Sequence, residues 1–431
     1  MSLPVCSFAD YKKIRTAPAL SDYRDERKQV LKIIEEVRLN GDPALRNYTR
    51  QYDKVQVDQL KVSEQEIARA VETVQPELIE AIRGAKKNIE RFHQHQVERK
   101  WWDSGPGWLT GQNIKPLQAV GVYIPGGTAA YPSSVLMTVL PARVAGVNEI
   151  YICTPPDSEG KINPLTLAAV HEAGATAVFK AGGAQAIAAL AFGTETIPAV
   201  QKIVGPGNIY VTLAKKEVFG TVGIDMLAGP SEIAIVAEKG ARPDYIAADL
   251  LSQAEHDPLS RSLLITPSEE LAGLVVKELE EQIATLPRKK IAEQSLKQQG
   301  AVIMVAGLEE AWPVVNELAP EHLELHLEEA WRYLDNITSA GAVFIGPYTP
   351  ESLGDYWAGS NHVLPTGGAA RYASALGVSD FIKRSHLICY TAAALQESAP
   401  QIAALARAEG FEAHARAVLL RRKNDEPQSQ D

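Results

Sequence analysis

The N-terminal part of the chain shows the 3.6-residue spacing of amphipathic helices. Apolar residues recur at every third or fourth position through 30–37, and Asn40-Gly41 then supplies a helix stop. A second long helix is predicted from about Pro76 into the region 93–102. The stretch 1–110 is therefore interpreted as a shell of helices that acts as scaffold.

The pattern changes near Leu117, where short apolar runs begin to alternate with alanine-rich segments of helical length. The runs, each next to a turn rich in Gly or Pro, are QAVGVYIPGG, EIYICTPP, AVFKAGGAQ, KIVGPGN and IDMLAGPSEIAIVA. This alternation predicts βαβ units and a parallel sheet. Ligands of such sheets bind at the carboxyl ends of the strands, where most of these glycines lie.

From Ile233 to about Gly346 the alternation continues less regularly, and the chain from Arg371 onward reads as helical. The predicted fold is α/β, with two Rossmann-like parallel-sheet domains, a helical N-terminal part and a small helical C-terminal domain. The expected bounds are an arm at 1–22, a first α/β domain of 23–122 with 232–370, a second at 123–231, and a C-terminal segment at 371–431.

Composition narrows the class of protein. With 43 basic and 53 acidic residues the net charge is −10, and the chain carries no basic stripe that would recognise nucleic acid. No run of about 18 apolar residues predicts a membrane helix, and the N-terminus shows no secretion signal. The three cysteines lie far apart and form no disulfide framework. We expect a cytoplasmic protein with no membrane partner.

The strand-end glycines raise the question of a nucleotide. The fingerprint G-x-G-x-x-G is missing, because the nearest motif, GPGN at 205–208, has Tyr210 where the third glycine should be. Glycines still allow a ligand to approach the backbone, and Gln185 and Asn208 could add hydrogen bonds. Ordinary tight turns remain the alternative.

Two groups of polar residues could bind a metal ion or act as a general base. In the helix predicted at 242–258, Gln253 and His256 are three residues apart, a spacing that can hold a divalent cation if further ligands come from elsewhere. Asp249 lies one turn earlier; surface polar residues are the alternative. The adjacent Glu321 and His322 could act as a base and its helper. Alternatively, HLELHL at 322–327 alternates like a half-exposed strand, which would leave its second histidine facing solvent.

Two further segments carry candidate polar residues. Asp355, Asn361 and His362 lie among glycines with little periodicity, which indicates a loop. Polar residues of loops are candidates for a functional role, and a loop without one is the alternative. Glu409 and His414 are five residues apart and therefore do not share one helical stripe.

Eight blocks, in order, resemble the histidinol dehydrogenase family. They are VGVYIPGG, GGAQAIAALAFGTE, VGPGNIYVTLAKKEVFG, IDMLAGPSEI, DLLSQAEHDP, APEHLEL, SLGDYWAGSNHVLPT and EGFEAHARAV. The likeness spans nearly the whole chain, to about Arg416. It implies the last step of histidine biosynthesis, a four-electron oxidation of L-histidinol to L-histidine through L-histidinaldehyde with two NAD⁺.

The resemblance also implies roles for individual residues. The implied ligands of one Zn²⁺ per subunit are Gln253, His256, Asp355 and His414. Glu321 and His322 correspond to the family's general acid/base pair. The implied substrate contacts are Ser231, Gln253, His256, His322, Asp355, Glu409 and His414. The implied NAD contacts are Tyr123, Gln185 and Asn208. The family further implies a homodimer whose C-terminal segment, with Glu409 and His414, completes the partner's site.

Three alternatives remain open from the sequence. A paralogous zinc- and NAD-dependent dehydrogenase of another small polar alcohol is the nearest, although Glu409, expected near an amine, favours histidinol. A metal-dependent hydrolase using Glu321 would not need the Gly-rich strand ends. A non-catalytic nucleotide-binding scaffold would bind ligand without turnover.

Overall fold

A computed structural model describes residues 3–14, 20–126 and 130–423. Its strands are β1 (Val5–Ser7), β2 (Trp101–Gly105), β3 (Trp108–Pro116), β4 (Ala119–Tyr123), β5 (Glu149–Thr154), β6 (Ala177–Lys180), β7 (Lys202–Val204), β8 (Gly223–Ile224), β9 (Glu232–Ala237), β10 (Arg261–Thr266), β11 (Ala301–Met304), β12 (His322–His326), β13 (Ala342–Ile345) and β14 (Ile382–Tyr390). Its α-helices are α1 (Phe8–Ile14), α2 (Arg24–Asn40), α3 (Asp42–Tyr52), α4 (Glu64–Thr73), α5 (Pro76–Gln94), α6 (Pro132–Ala145), α7 (Pro164–Ala173), α8 (Gly183–Phe192), α9 (Ile209–Val218), α10 (Pro243–Ala254), α11 (Glu269–Ile283), α12 (Lys289–Gln299), α13 (Leu308–Leu318), α14 (Glu351–Leu353), α15 (Ala392–Ala408) and α16 (Glu412–Lys423).

The larger sheet has six parallel strands in the order β1-β11-β10-β9-β12-β13. Both faces are covered, because β9 residues such as Ile233 and Ile235 belong to one apolar cluster and Ala234 and Val236 to the other. Strands buried on both faces read as continuous apolar runs, as EIAIVA does. The N-terminal arm contributes an edge strand to this sheet, which the helical interpretation of the stretch 1–110 missed.

The smaller parallel sheet has five strands in the order β6-β5-β4-β7-β8. Numbered along the chain, this is 3-2-1-4-5, the Rossmann order without its sixth strand, and the strand order reverses between β4 and β7. Helix α2 packs on α8 and α9, the helices that follow β6 and β7 of this sheet, through the four apolar residues that the periodicity singled out, all of them buried. The helix is therefore scaffold of the five-stranded sheet, whereas the predicted domains grouped 23–122 with 232–370. The predicted domain bounds themselves stay a prediction.

The chain divides into two compact units. The first contains both parallel sheets, and the second consists of Val97–Pro116 and the chain from Ile382 onward. In the second unit β14, β3 and β2 form an antiparallel sheet, followed in the chain by α15 and α16. The helix predicted from Pro76 into the region 93–102 is α5, which ends at Gln94 before strand β2. The helical prediction from Arg371 onward is wrong where the chain forms β14. Short apolar runs without clear periodicity do not distinguish strand from helix.

The predicted α/β class with two parallel sheets and a small C-terminal helical region is confirmed. Two of the segments of helical length that were expected between the apolar runs are helices α8 and α9. Within the described ranges, each helix is too short or too polar to cross a lipid bilayer.

Candidate active site

The residues Glu321 and His322 lie at the amino end of β12, between β9 and β13 in the six-stranded sheet. Leu323 and Leu325 point into one apolar cluster, so His322, Glu324 and His326 share the opposite face of the strand. That face is also buried, and His326 is only 4% exposed. The alternative reading of a half-exposed strand, with His326 in solvent, is therefore wrong.

The imidazole of His322 is held as a neutral base. Its Nδ1 lies 3.2 Å from the carbonyl oxygen of Glu232, which accepts its proton in the neutral ring. The other nitrogen, Nε2, is buried and has no hydrogen-bond partner among the described residues. Burial is the main reason that the pKa of His322 falls to about 4. The ring therefore presents a free Nε2 lone pair at neutral pH, 4.0 Å from Oδ1 of Asp355.

Buried carboxyl groups crowd around this ring. Oε2 of Glu321 accepts the backbone N–H of Glu232 at 2.9 Å, and Oε1 of Glu351 lies 3.7 Å from Nδ1 of His322. Burial, reinforced by the neighbouring carboxyl groups, raises the pKa of Glu321 and of Glu351 well above the usual value. The carboxylate of Glu232 is balanced by Arg261 at 3.1 Å. The cluster thus has an excess of acidic groups, which favours a bound cation.

The predicted metal ligands of this unit come from two elements. Gln253 lies in the last turn of α10, and His256 follows the helix, its N–H donating to the Gln253 carbonyl at 3.3 Å. Asp355 lies in a π-helical turn, Gly354–Ala358, so the predicted loop is partly helical. Ligand atoms of His256, Asp355 and Glu351 all lie within 4.8 Å of one another.

Gln253 supports the same location for a metal. Its side chain is fully buried, yet neither its Oε1 nor its Nε2 has a hydrogen-bond partner among the residues described. A buried amide without partners is costly and calls for an unseen partner such as an ion. The donor set of imidazole, carboxylate and amide oxygen suits a zinc-like divalent cation.

Sequence reasoning missed two acidic residues of the site, Glu232 and Glu351. Glu232 directly follows Ser231 and opens β9, where the apolar run conceals it. Glu351 precedes Asp355 by four residues, which would have been a signal if 351–358 had been read as helical. Of the two other predicted polar residues of this segment, His362 has its Nδ1 3.9 Å from Oδ1 of Asp355. The buried Asn361 instead donates to the Met137 carbonyl.

The three residues expected to contact a nucleotide lie at the carboxyl edge of the five-stranded sheet. Tyr123 ends β4, and its hydroxyl accepts the N–H of Gly183 at 3.1 Å, just before Gln185 in the first turn of α8. Asn208 follows β7 and caps α9, because its Oδ1 accepts two backbone N–H groups. Tyr123 and Asn208 thus flank the reversal of strand order between β4 and β7, where ligands of such sheets bind.

Ser231 and two residues of the C-terminal helices complete the set of predicted site residues. Ser231, half-buried, directly precedes β9 in the first unit. Glu409 and His414 belong to the second unit, where Glu409 is the C-cap of α15 and His414 lies in α16, both exposed. Gly410, with φ +83°, separates the two helices, so the expectation that these residues do not share one helical stripe is confirmed.

The chain is similar to known proteins over nearly its whole length. The family profile described as Histidinol dehydrogenase matches residues 18–422. A histidinol dehydrogenase of Geobacillus kaustophilus is 53% identical over 407 residues, which is 94% of this chain and 96% of the relative. One of Moorella thermoacetica is 53% identical over 396 residues, 91% of this chain and 93% of that protein. The crystal structure of histidinol dehydrogenase from Elizabethkingia anophelis has a TM-score of 0.91 and 41% identity, covering 97% of each chain.

The order of the eight sequence blocks, the fold and these likenesses agree with one another. The chain belongs to the histidinol dehydrogenase family, whose members are oxidoreductases.

Proposed function

We propose that this protein oxidises L-histidinol to L-histidine through L-histidinaldehyde, using two NAD⁺ and one Zn²⁺ per subunit, as a homodimer. The observation that carries the proposal is the neutral, buried His322, whose free Nε2 lies beside an acidic pocket with the donors of a metal site. A buried base next to a cation site suits the oxidation of an alcohol that itself carries metal-binding nitrogens.

The residues that would hold the metal are Gln253, His256 and Asp355, together with His414 as the resemblance implies. The fit is supported by the unpartnered amide of Gln253 and by the short distances among His256, Asp355 and Glu351. When bound, zinc supplies a positive charge that anchors nitrogen donors of the substrate. The acidic cluster supports this role, because the substrate's cationic groups and the metal would both offset its charge.

NAD would bind at the reversal of strand order in the five-stranded sheet, next to Tyr123, Gln185 and Asn208. The Gly-rich turn after β7 supports this, since Gly205 (φ +110°) brings its backbone against that of Tyr123 and leaves no room for a side chain. When bound, the nicotinamide accepts the hydride, and the protein orients and tunes it.

The proton of the substrate hydroxyl would pass to Nε2 of His322 in the first oxidation. The Glu232 carbonyl keeps the other ring proton on Nδ1, which fixes the ring for that task. The second oxidation adds a water to the aldehyde before the second hydride leaves. Glu321 adjoins His322 and would help to activate that water, with His322 serving again as the base.

A homodimer is supported by the exposed surface of the second unit. Trp101, Trp102, Ile388 and Leu405 are all more than half exposed in the single chain. Exposed apolar residues of this size are typical of a protein–protein interface. We propose that a second copy covers them and that Glu409 and His414 complete the partner's site.

The test is the stoichiometry of NADH formation by purified, zinc-loaded protein. Two NADH and one histidine per histidinol consumed are expected. The second candidate function, oxidation of another small polar alcohol by a paralogous dehydrogenase, is tested on a panel of such alcohols under the same conditions. Faster turnover of one of them than of histidinol would overturn the assignment of the substrate, and no NADH from any would overturn the activity.

A further inference from the structure

Strand β12 carries two buried ionisable side chains for which the reaction has no use. Glu324 and His326 share the face of His322, and both are at most 4% exposed. Burying charged groups inside a sheet is costly unless they are paired, so their partners indicate what they do.

Glu324 and His326 pair with each other and with a helix. Oε2 of Glu324 lies 3.2 Å from Nε2 of His326, which in turn lies 3.6 Å from Oδ2 of Asp249 on α10. Although burial alone would lower it, the two carboxylates raise the pKa of His326 to about 9. An imidazolium between two carboxylates offsets their charge from within the protein.

The other carboxylate oxygen of Glu324 reaches the segment that carries Asp355. Oε1 accepts the backbone N–H of Glu351 at 2.7 Å, where residues 351–358 begin. Asp249, at the far end of the cluster, lies one helical turn before Gln253. The cluster of Asp249, Glu324 and His326 therefore joins the two elements that bear the proposed ligands.

We infer that Glu324 and His326, with Asp249, are positioning residues that fix residues 351–358 against α10 and so set the spacing between Asp355 and Gln253. The inference rests on the proposed metal site and adds residues that lie behind it. Residues that orient metal ligands in this way typically change metal affinity or activity about 10–100-fold when they are replaced.

The test measures Zn²⁺ affinity of the full-length protein by competition with a chromophoric chelator. Glu324→Leu removes the acceptor for the Glu351 N–H, and zinc should bind about 10–100-fold more weakly. Glu324→Gln keeps an acceptor oxygen and should restore most of the affinity. His326→Leu leaves Glu324 without its partner and should lower the zinc affinity about tenfold. This second variant tests the inference if Glu324→Leu does not fold.

The matched control is Leu325→Ala, on the same strand but on the opposite, apolar face. It should lower the unfolding midpoint while zinc affinity stays within about twofold of the parent, because a cavity on that face touches no group of the cluster. The absorption spectrum of the Co²⁺-substituted protein provides a second readout. It should change in Glu324→Leu and stay unchanged in Leu325→Ala, since only the first alters the geometry of the ligands.

Two results would overturn the inference. One is parental zinc affinity and an unchanged cobalt spectrum in folded Glu324→Leu and His326→Leu. The other is two zinc ions per parent subunit, one of which is lost in Glu324→Leu, because the cluster would then be a metal site itself. Failure of the proposed metal site gives a different result: the parent protein would bind no zinc, or His256→Ala would bind it as tightly as the parent.

Discussion

The turn after β7 offers the most direct test of where the cofactor binds, through the substitution Gly205→Ala. A Cβ at position 205 would lie 2.2 Å from the carbonyl oxygen of Tyr123, whereas ordinary contacts begin at 3.4 Å. Because the obstacle is backbone in a close-packed interior, the turn must move away from β4 by roughly 1 Å to restore an ordinary contact. The φ of +110° adds strain of roughly 1–3 kcal/mol for a residue with a side chain.

A displacement of this size matters because β4 and β7 flank the proposed nicotinamide site. Misplacing a reacting group by about 1 Å can cost on the order of 100-fold in rate. We therefore expect Gly205→Ala to weaken NAD⁺ binding at least tenfold and to lower kcat/KM for NAD⁺ on the order of 100-fold. Zinc content should not change, since Gln253, His256 and Asp355 belong to segments around the six-stranded sheet and His414 belongs to the second unit.

The assay is a calorimetric titration of the zinc-loaded protein with NAD⁺, accompanied by steady-state kinetics at varied NAD⁺. Gly220→Ala is the matched control, because Gly220 has a similar φ of +103° and no atom within 4 Å of the added Cβ. It should carry the same backbone strain and still bind NAD⁺ like the parent. Parental NAD⁺ affinity in folded Gly205→Ala would refute the placement of the cofactor at this turn.

Three further predictions concern Glu321, the assembly and the partly buried carboxyl group of Asp53. Glu321→Gln should keep hydride transfer from histidinol, but the rate of conversion of supplied histidinaldehyde should fall about 10²–10⁴-fold. Equal slowing of both half-reactions, with zinc still bound, would argue that Glu321 only orients His322. Mixed His322→Ala and His414→Ala subunits should regain activity, since one site per heterodimer is intact; no recovery despite subunit exchange, followed by mass spectrometry, would confine the site to one chain. Burial raises the pKa of Asp53 from 3.8 to about 6, so its contribution to stability is complete below pH 3.8 and is lost as the pH rises through 6. Asp53→Asn should therefore increase the free energy of unfolding by about 1–2 kcal/mol at pH 7.5, after allowance for partial exposure, and change it little at pH 3.5; equal effects in urea titrations at the two pH values would contradict this.

Much of the fold was predictable because its signals are local. The apolar runs leading into glycines gave strands β4, β6 and β7 at nearly their true bounds. A parallel sheet buried on both faces leaves such runs in the sequence, and the turns after them need glycine where backbones touch, as at Gly205. The same signals suggested Gln185 and Asn208 as cofactor contacts, and the family likeness added Tyr123; these three contacts stay a prediction.

The remainder could not be predicted because it depends on pairing across the fold. The apolar and polar residues of β14 alternate too weakly to distinguish a strand from a helix. Its partner strand β3 lies more than 250 residues earlier in the chain, so the pairing leaves no local signal. The burial of His326 was missed for a related reason. Alternation such as HLELHL normally marks a solvated face, and only α10 and residues 351–358, folded over that face, turn it into an interior one.

The position of the acidic cluster follows from the direction of the chain in the six-stranded sheet. Glu321 and Glu232 stand at the amino ends of their strands, opposite to the edge where α/β sheets usually bind ligands. Helix α10 follows β9 and runs back across the sheet, so its C-terminal turn brings Gln253 to this same edge. The C-terminus of a helix carries a partial negative charge, which adds to that of the carboxyl groups. This amino edge of the six-stranded sheet therefore suits cations. At the carboxyl edge of the five-stranded sheet, the N-termini of α8 and α9 follow β6 and β7 and suit the phosphates of a dinucleotide. If the proposed cofactors bind where we place them, the two sheets are used at opposite edges, with the cation on one side and the phosphates on the other, and the carbinol to be oxidised would lie between them.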